Sequence, residues 1–296
     1  MSWHLENDWL APESVPDNGN RLLVGNGYLG IRGTLEEAGK KELAAVNIAG
    51  IYDKVGDGWR EPLNAPNPLY TRLTVNGRLL TALDGSAVRH TQGLDFRHGI
   101  YRRDTEWMAD GTAVHLHGTH AAHMGQEHLI LAQYTVSVDG EAEIELLAKI
   151  ETDIWEIYGP HYLRFEQELS GDTLLCTAPV QNYRDTVAVG RKCILSRPAL
   201  TRREDGALRF CLHLHAGECV TLTSISAVYT TQDCADPARA VRRALEGADF
   251  DTLHASHCGG WEKIWEVGAV SIDGDEQAQD ALNYSLYHLN SIAPRS

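Results

Sequence analysis

The chain has no apolar run near the roughly 18 residues that a membrane-crossing helix needs, and its opening, MSWHLENDWLAPE, has neither the basic start nor the apolar stretch of a secretory leader. Both absences point to a cytoplasmic protein. Positive charge is scarce as well: 26 Lys and Arg stand against 41 Asp and Glu, a formal net charge of -15. Such a balance opposes long-range attraction to polyanions, so nucleic acid and anionic membrane surfaces are not expected as partners. The six cysteines, Cys176, Cys193, Cys211, Cys219, Cys234 and Cys258, include no C-x-x-C pair and have no histidine at finger spacing. That excludes the common structural zinc patterns and, in a chain without a leader, favours free buried thiols over disulfides.

What is present is the make-up of an ordinary globular protein, 43% hydrophobic and 23% charged over 296 residues, enough for one large β domain and a smaller piece. Up to about residue 235, short alternating stretches dominate. YTRLTVNGRLL at 70–80 and LILAQYTVSVDGEAEIELLAKIE at 129–151 read as serial hairpins, and Asp84-Gly85, Asp110-Gly111, Ser170-Gly171 and Asp205-Gly206 add turn signals. Many short antiparallel strands imply two packed sheets, so one large β-sandwich is expected over 1–233. The character then changes. Asp236 and Pro237 suit the cap and first position of a helix with Ala238, Val241 and Leu245 on one face. A second helical run sets Trp261 and Trp265 four apart, a spacing that favours anchoring the helix to the sandwich. A third places Ala278, Leu282, Leu286 and Leu289 on one stripe, shortly before Pro294. Residues 234–296 are therefore expected to form a helical linker.

Residues 20–33 read NRLLVGNGYLGIRG and contain a literal G-x-G-x-x-G at Gly25, Gly27 and Gly30. In a dinucleotide site those glycines turn a strand into a helix whose N-terminal amides meet a pyrophosphate. No helix is announced in this segment. Tyr28, Leu29, Ile31 and Arg32 are interleaved with Gly30 and Gly33, which suits strands, bulges and tight turns, and Asn26-Gly27 is a hairpin signal. The glycines are read as turn formers, with Arg32 expected to pair with a carboxylate.

The same segment resembles the N-terminal region of glycoside hydrolase family 65, the maltose, trehalose and kojibiose phosphorylases, in which GNGYLG-x-RG is a signature stretch. The likeness continues through Glu36-Glu37, IAGIYD at 48–53, VNG at 75–77, GLDFRHGIYRRDTEW at 93–107 and IWEIYGPH at 154–161. The last stretch is closer to kojibiose-type than to maltose-type members, and HGTHAAHM at 117–124 departs from the family's usual Arg and Ser. The resemblance implies a mainly β fold, a large antiparallel super-sandwich of the galactose mutarotase-like type, followed by a helical linker leading to an α/α toroid. It also implies inverting phosphorolysis of an α-glucosyl disaccharide, with inorganic phosphate as co-substrate, no other cofactor, and a homodimer. The family's catalytic acid and phosphate ligands lie in the toroid, which residues 1–296 do not reach, so no residue is assigned a catalytic, cofactor-binding or metal-binding role.

The residues that invite such a role have commoner explanations. Glu106, Glu156 and Glu166 are strand-borne acids of the kind usually found on a solvated face. His115 and His117, and again His213 and His215, lie two apart and so share a strand face, with His120, His123 and His128 close by. Alternate-position imidazoles hold a metal poorly unless a third ligand is fixed beside them, and no metal is expected. Trp59, Trp107 and Trp155 carry no readable role. Two functions remain: a non-catalytic N-terminal sandwich that shapes the active-site entrance and supports dimerisation, with the toroid and a small sugar as partners, or a free-standing carbohydrate-binding or aldose-epimerase-like sandwich.

Overall fold

The computed structural model describes residues 3–8, 14–181 and 184–293; Pro294 lies outside them. The first third of the chain forms β1 (His4–Asn7), α1 (Val15–Arg21), β2 (Val24–Gly25), β3 (Leu29–Ile31), β4 (Val46–Asp53), β5 (Glu61–Asn64), β6 (Thr71–Val75), β7 (Arg78–Leu80), β8 (Arg89–Asp95) and β9 (Ile100–Ala109). The middle forms β10 (Thr112–Ala122), β11 (Leu129–Val138), β12 (Ala142–Lys149), β13 (Glu166–Ser170), β14 (Thr173–Pro179) and β15 (Thr186–Leu195). Then come β16 (Leu200–Glu204), β17 (Ala207–Leu214), β18 (Cys219–Thr230), α2 (Pro237–Leu245), α3 (Phe250–Gly268) and α4 (Glu276–Ile292).

A nine-stranded sheet in the order β1-β8-β9-β10-β11-β18-β15-β14-β13 carries the molecule, with a five-stranded sheet (β16-β17-β12-β6-β7) and a four-stranded one (β2-β3-β4-β5) contributing to the same core. The strand pairs are antiparallel. Alternation along β11 shows why the sheet has helices on its other side. Ile130, Tyr134, Val136 and Val138 enter the main core, whereas Leu129 and Leu131 point the opposite way and meet Val241, Leu245 and Leu253 of α2 and α3. Burying both faces of the sheet requires apolar residues at both parities. Arg191 ties two of the sheets together through the core: fully buried, it donates to Ser224 Oγ in the nine-stranded sheet and to Thr71 Oγ1 and the carbonyls of Tyr70 and Lys149 at the five-stranded one.

The expected sandwich and helices are present, with instructive differences. The turn signals are real: Asn76, Asp110 and Asp205 and the glycines after them all take positive φ. Yet 129–151 is not a hairpin. β11 belongs to the nine-stranded sheet and β12 to the five-stranded one, so the Asp139-Gly140 corner carries the chain from one sheet to the other. The thiols are free, as expected, but Cys176 and Cys193 alone are buried. α1 was not foreseen; Pro16 sits in its first turn.

Asp236, Asp249 and Asp275 cap the three C-terminal helices, each side chain accepting a backbone N–H in the first turn. On α3, Trp261 and Trp265 are buried and stack at 6.0 Å; Trp261 also stacks on Tyr287 of α4, and Trp265 Nε1 donates to Arg97 O. The Trp pair is therefore core. On α4 the expected stripe is displaced. The buried line is Gln279, Asn283, Tyr287 and Ser291, while Leu282 and Leu286 lie half-buried on its flank and Leu289 is exposed. Hydrogen bonds explain this rotation: Gln279 Nε2 donates to Val270 O and Asn283 Oδ1, Gln279 Oε1 accepts from Ile272 N, and Tyr287 OH donates to Leu23 O.

Candidate functional site

The glycine segment is a hairpin, with Val24 opposite Ile31 and Gly25 opposite Gly30 across β2 and β3. Asn26 organises it. Its Oδ1 accepts from the amides of Tyr28 and Leu29, while its Nδ2 donates to the carbonyls of His123 and Glu127, pinning the turn to the loop between β10 and β11. Gly27, at φ 89°, donates its amide to Ser291 O in the last turn of α4. A Cβ on Gly25 would stand 2.8 Å from that same carbonyl, so the helix end can approach only a glycine. The backbone donors that a phosphate would need are thus spent on protein oxygens. Tyr28 completes the anchorage by donating to Asp233 Oδ2 at 2.5 Å, and burial, with that bond, pushes its hydroxyl well above the usual phenol range. Among the described residues the hydrogen-bond partners of Arg32 are neutral, while the carboxylate of Asp17 acts on it through charge alone. Arg32 donates to Asn20 Oδ1 and Pro16 O, because the segment leading into β2 folds back over it.

Beside the hairpin opens a cavity of about 380 Å³. Tyr28 and Gly30 of the hairpin, Asn47 and Asn64 of β4 and β5, Trp155 and Ile157, and Ile292 of α4 line it. Trp155 and Ile157 belong to the 154–161 loop, and a buried charge cluster holds that loop. His161 Nδ1 donates to Asp53 Oδ2 at 3.0 Å, and its Nε2 lies 2.8 Å from Glu61 Oε1. Glu61 also accepts the amides of Ile157 and Tyr158, and Asn64 Nδ2 donates to Trp155 O. Burial opposes charge on His161, but the hydrogen bonds to Asp53 and Glu61 and the nearby carboxylates outweigh it and hold the imidazole above its ordinary range. Among the described residues Glu61 is the one carboxylate lining the cavity, and its oxygens are committed to the loop. An inverting hydrolase would need two carboxyls about 6.5–9.5 Å apart; among the described residues this wall carries one, Glu61.

A second buried cluster fixes the hairpin's downstream end. Arg103 of β9, fully buried, grips both Glu37 oxygens and Glu36 Oε2, and its Nε donates to Thr105 Oγ1 at 2.8 Å. Burial weakens its charge, but the two carboxylates outweigh that and raise its pKa well above the usual value.

The family profile "Glycosyl hydrolase family 65, N-terminal domain" matches residues 5–264. The chain belongs to that family. This family 65 domain is 37% identical, over its whole length, to 43% of a nigerose phosphorylase of Lachnoclostridium phytofermentans, and 30% identical over 98% of its length to 39% of a 1,2-alpha-glucosylglycerol phosphorylase of Bacillus selenitireducens. A solved structure of a kojibiose phosphorylase candidate from the human microbiome superposes on 97% of the domain with a TM-score of 0.83 at 16% identity, the match covering 41% of that chain. The domain therefore spans about two fifths of the length of these relatives.

The carboxylates and histidines singled out in the sequence do not converge on the cavity of the family 65 domain. Glu106 faces His115, Glu166 pairs with Arg164 at the surface, and Glu156 accepts the His161 amide. His120 is buried and stacked on Tyr101, and burial pushes it down to about 3. His123 bonds to Leu253 O and Ser256 Oγ of α3, and His128 stacks on Tyr229. Trp107 is buried with its Nε1 donating to Thr81 O, Trp59 is exposed, and Trp155 lines the cavity. His161, Asp53 and Glu61 went unsingled. The first two lay in quoted motifs, but 108 residues separate them, and no local signal joins them.

Proposed function

We propose that this domain is the non-catalytic N-terminal part of an inverting disaccharide phosphorylase. The whole protein would convert an α-glucosyl disaccharide and inorganic phosphate into β-glucose 1-phosphate and glucose, with the acid and the phosphate ligands outside residues 1–296. The reading divides the chain into a sandwich at 1–233 and a linker at 234–296, and adds a homodimer working in the cytoplasm. One observation carries it: the cavity beside the hairpin is walled by Tyr28, Trp155 and Ile157 with a lone, already engaged carboxylate, Glu61. Such a wall can border a sugar site while leaving bond cleavage to groups from elsewhere. The relatives' names support an α-glucoside substrate.

The half-buried Trp155, which lines the same cavity as Tyr28, also favours a second reading, a sandwich that binds carbohydrate unaided through aromatic stacking. Calorimetric titration with glucose, nigerose and kojibiose separates the two. The phosphorylase reading expects no saturable heat at millimolar sugar, because one wall buries too little of the ligand; millimolar or tighter affinity would replace it with the second reading.

A further inference from the structure

On the outer face of the five-stranded sheet, β12 and β17 set acids against imidazole and thiol groups in register. Glu145 stands opposite Cys211 and Glu143 opposite His213, and one step past the ladder Glu141 reaches His215. Spacing alone left His213 and His215 without a third ligand; the fold supplies one. Glu141 Oε1 lies 3.5 Å from His215 Nδ1 and its Oε2 3.9 Å from His213 Nε2, and one donor atom from each of the three residues falls within 4.8 Å of the others. A tetrahedral zinc ion with bonds of about 2.0–2.1 Å holds its ligand atoms about 3.4 Å apart. Small rotations of exposed side chains cover that difference.

Glu143 prepares the site further. Its Oε1 accepts from His213 Nδ1 at 3.0 Å, which places the ring proton on Nδ1 and leaves the Nε2 lone pair directed toward Glu141. A carboxylate behind a ligand histidine fixes the tautomer and ring orientation in just this way. The other two-apart pair provides the contrast: His115 reaches Glu106 and Asp139, while His117 reaches Asp104, so those imidazoles serve separate carboxylates.

We propose that Glu141, His213 and His215 bind a divalent first-row transition-metal ion of the zinc class, with Glu143 positioning His213 and water filling the remaining coordination. Two imidazoles and one carboxylate suit zinc, cobalt, nickel or copper better than calcium or magnesium, which take oxygen. The site lies on exposed residues apart from the cavity and does not depend on the phosphorylase reading. Calorimetric titration of the protein with zinc chloride tests it. One equivalent should bind saturably; His213→Ala and His215→Ala should abolish binding, and Glu143→Gln should weaken it about tenfold. His117→Ala and Cys211→Ser should bind as the parent does, and circular dichroism should show the fold unchanged in every variant. On the unsubstituted protein, copper(II) paramagnetic resonance should show coupling to two imidazole nitrogens. Absence of saturable zinc binding, its survival in both histidine variants, or a copper spectrum without nitrogen coupling would overturn the proposal.

Discussion

At the residue scale, stability rests on charged groups that are buried together. Arg103 neutralises Glu36 and Glu37 where little water reaches the cluster. Removing one member of such a cluster leaves unpaired charge in the core, so Arg103→Met should lower unfolding free energy by about 3–5 kcal/mol in urea denaturation. Combining it with Glu36→Gln and Glu37→Gln should recover part of that loss. His161 makes a pH-dependent contribution. Its pKa in the folded protein is raised, so its stabilisation is fully present below the unfolded value of about 6.5 and is lost as pH rises through the folded value. The stability difference between the parent and His161→Asn should therefore be largest in mildly acidic solution and shrink on the alkaline side. A difference that grows with pH would contradict the charge cluster.

At the element scale, one contact that joins the sandwich to its helices is the hairpin against α4. Gly25→Ala puts a methyl group against Ser291 O, an overpacking expected to cost about 1–3 kcal/mol and to raise amide hydrogen exchange in the last turn of α4. Unaltered exchange there would mean that the helix end is not held by this glycine. This joint shows what local sequence could convey. The Asn26-Gly27, Asn76-Gly77, Asp110-Gly111 and Asp205-Gly206 turns, the Asp236 cap and the Trp261/Trp265 spacing are short-range signals, and each formed the element it announced. The identity of the partner was not local. Glu36-Glu37 awaited Arg103, Asp53 awaited His161, and Gly25 awaited the end of α4; the quoted motifs are halves of tertiary joints. The α4 stripe misled because periodicity counts apolar residues, whereas this helix buries an amide and hydroxyl line that makes specific hydrogen bonds. The Asp139-Gly140 corner misled because a tight turn does not say whether the next strand pairs with the last or changes sheet. At the candidate site, the hairpin was legible in the sequence; the cavity wall, assembled from β4, β5, the 154–161 loop and α4, was not.

At the scale of the whole molecule, two sheets pack on a large central one, helices cover its second face, and an aromatic cavity lies where the hairpin, the 154–161 loop and α4 meet. Among the described residues that cavity contains no second carboxylate to complement Glu61, in keeping with the proposal that cleavage of the glycosidic bond is left to groups from elsewhere. The most direct measurement is chromatographic detection of glucose 1-phosphate after incubating the purified 296-residue chain with inorganic phosphate and nigerose or kojibiose. The account predicts none above the level of a protein-free control; phosphate-dependent release at a rate proportional to protein concentration would show that the chain holds a complete active site and contradict it.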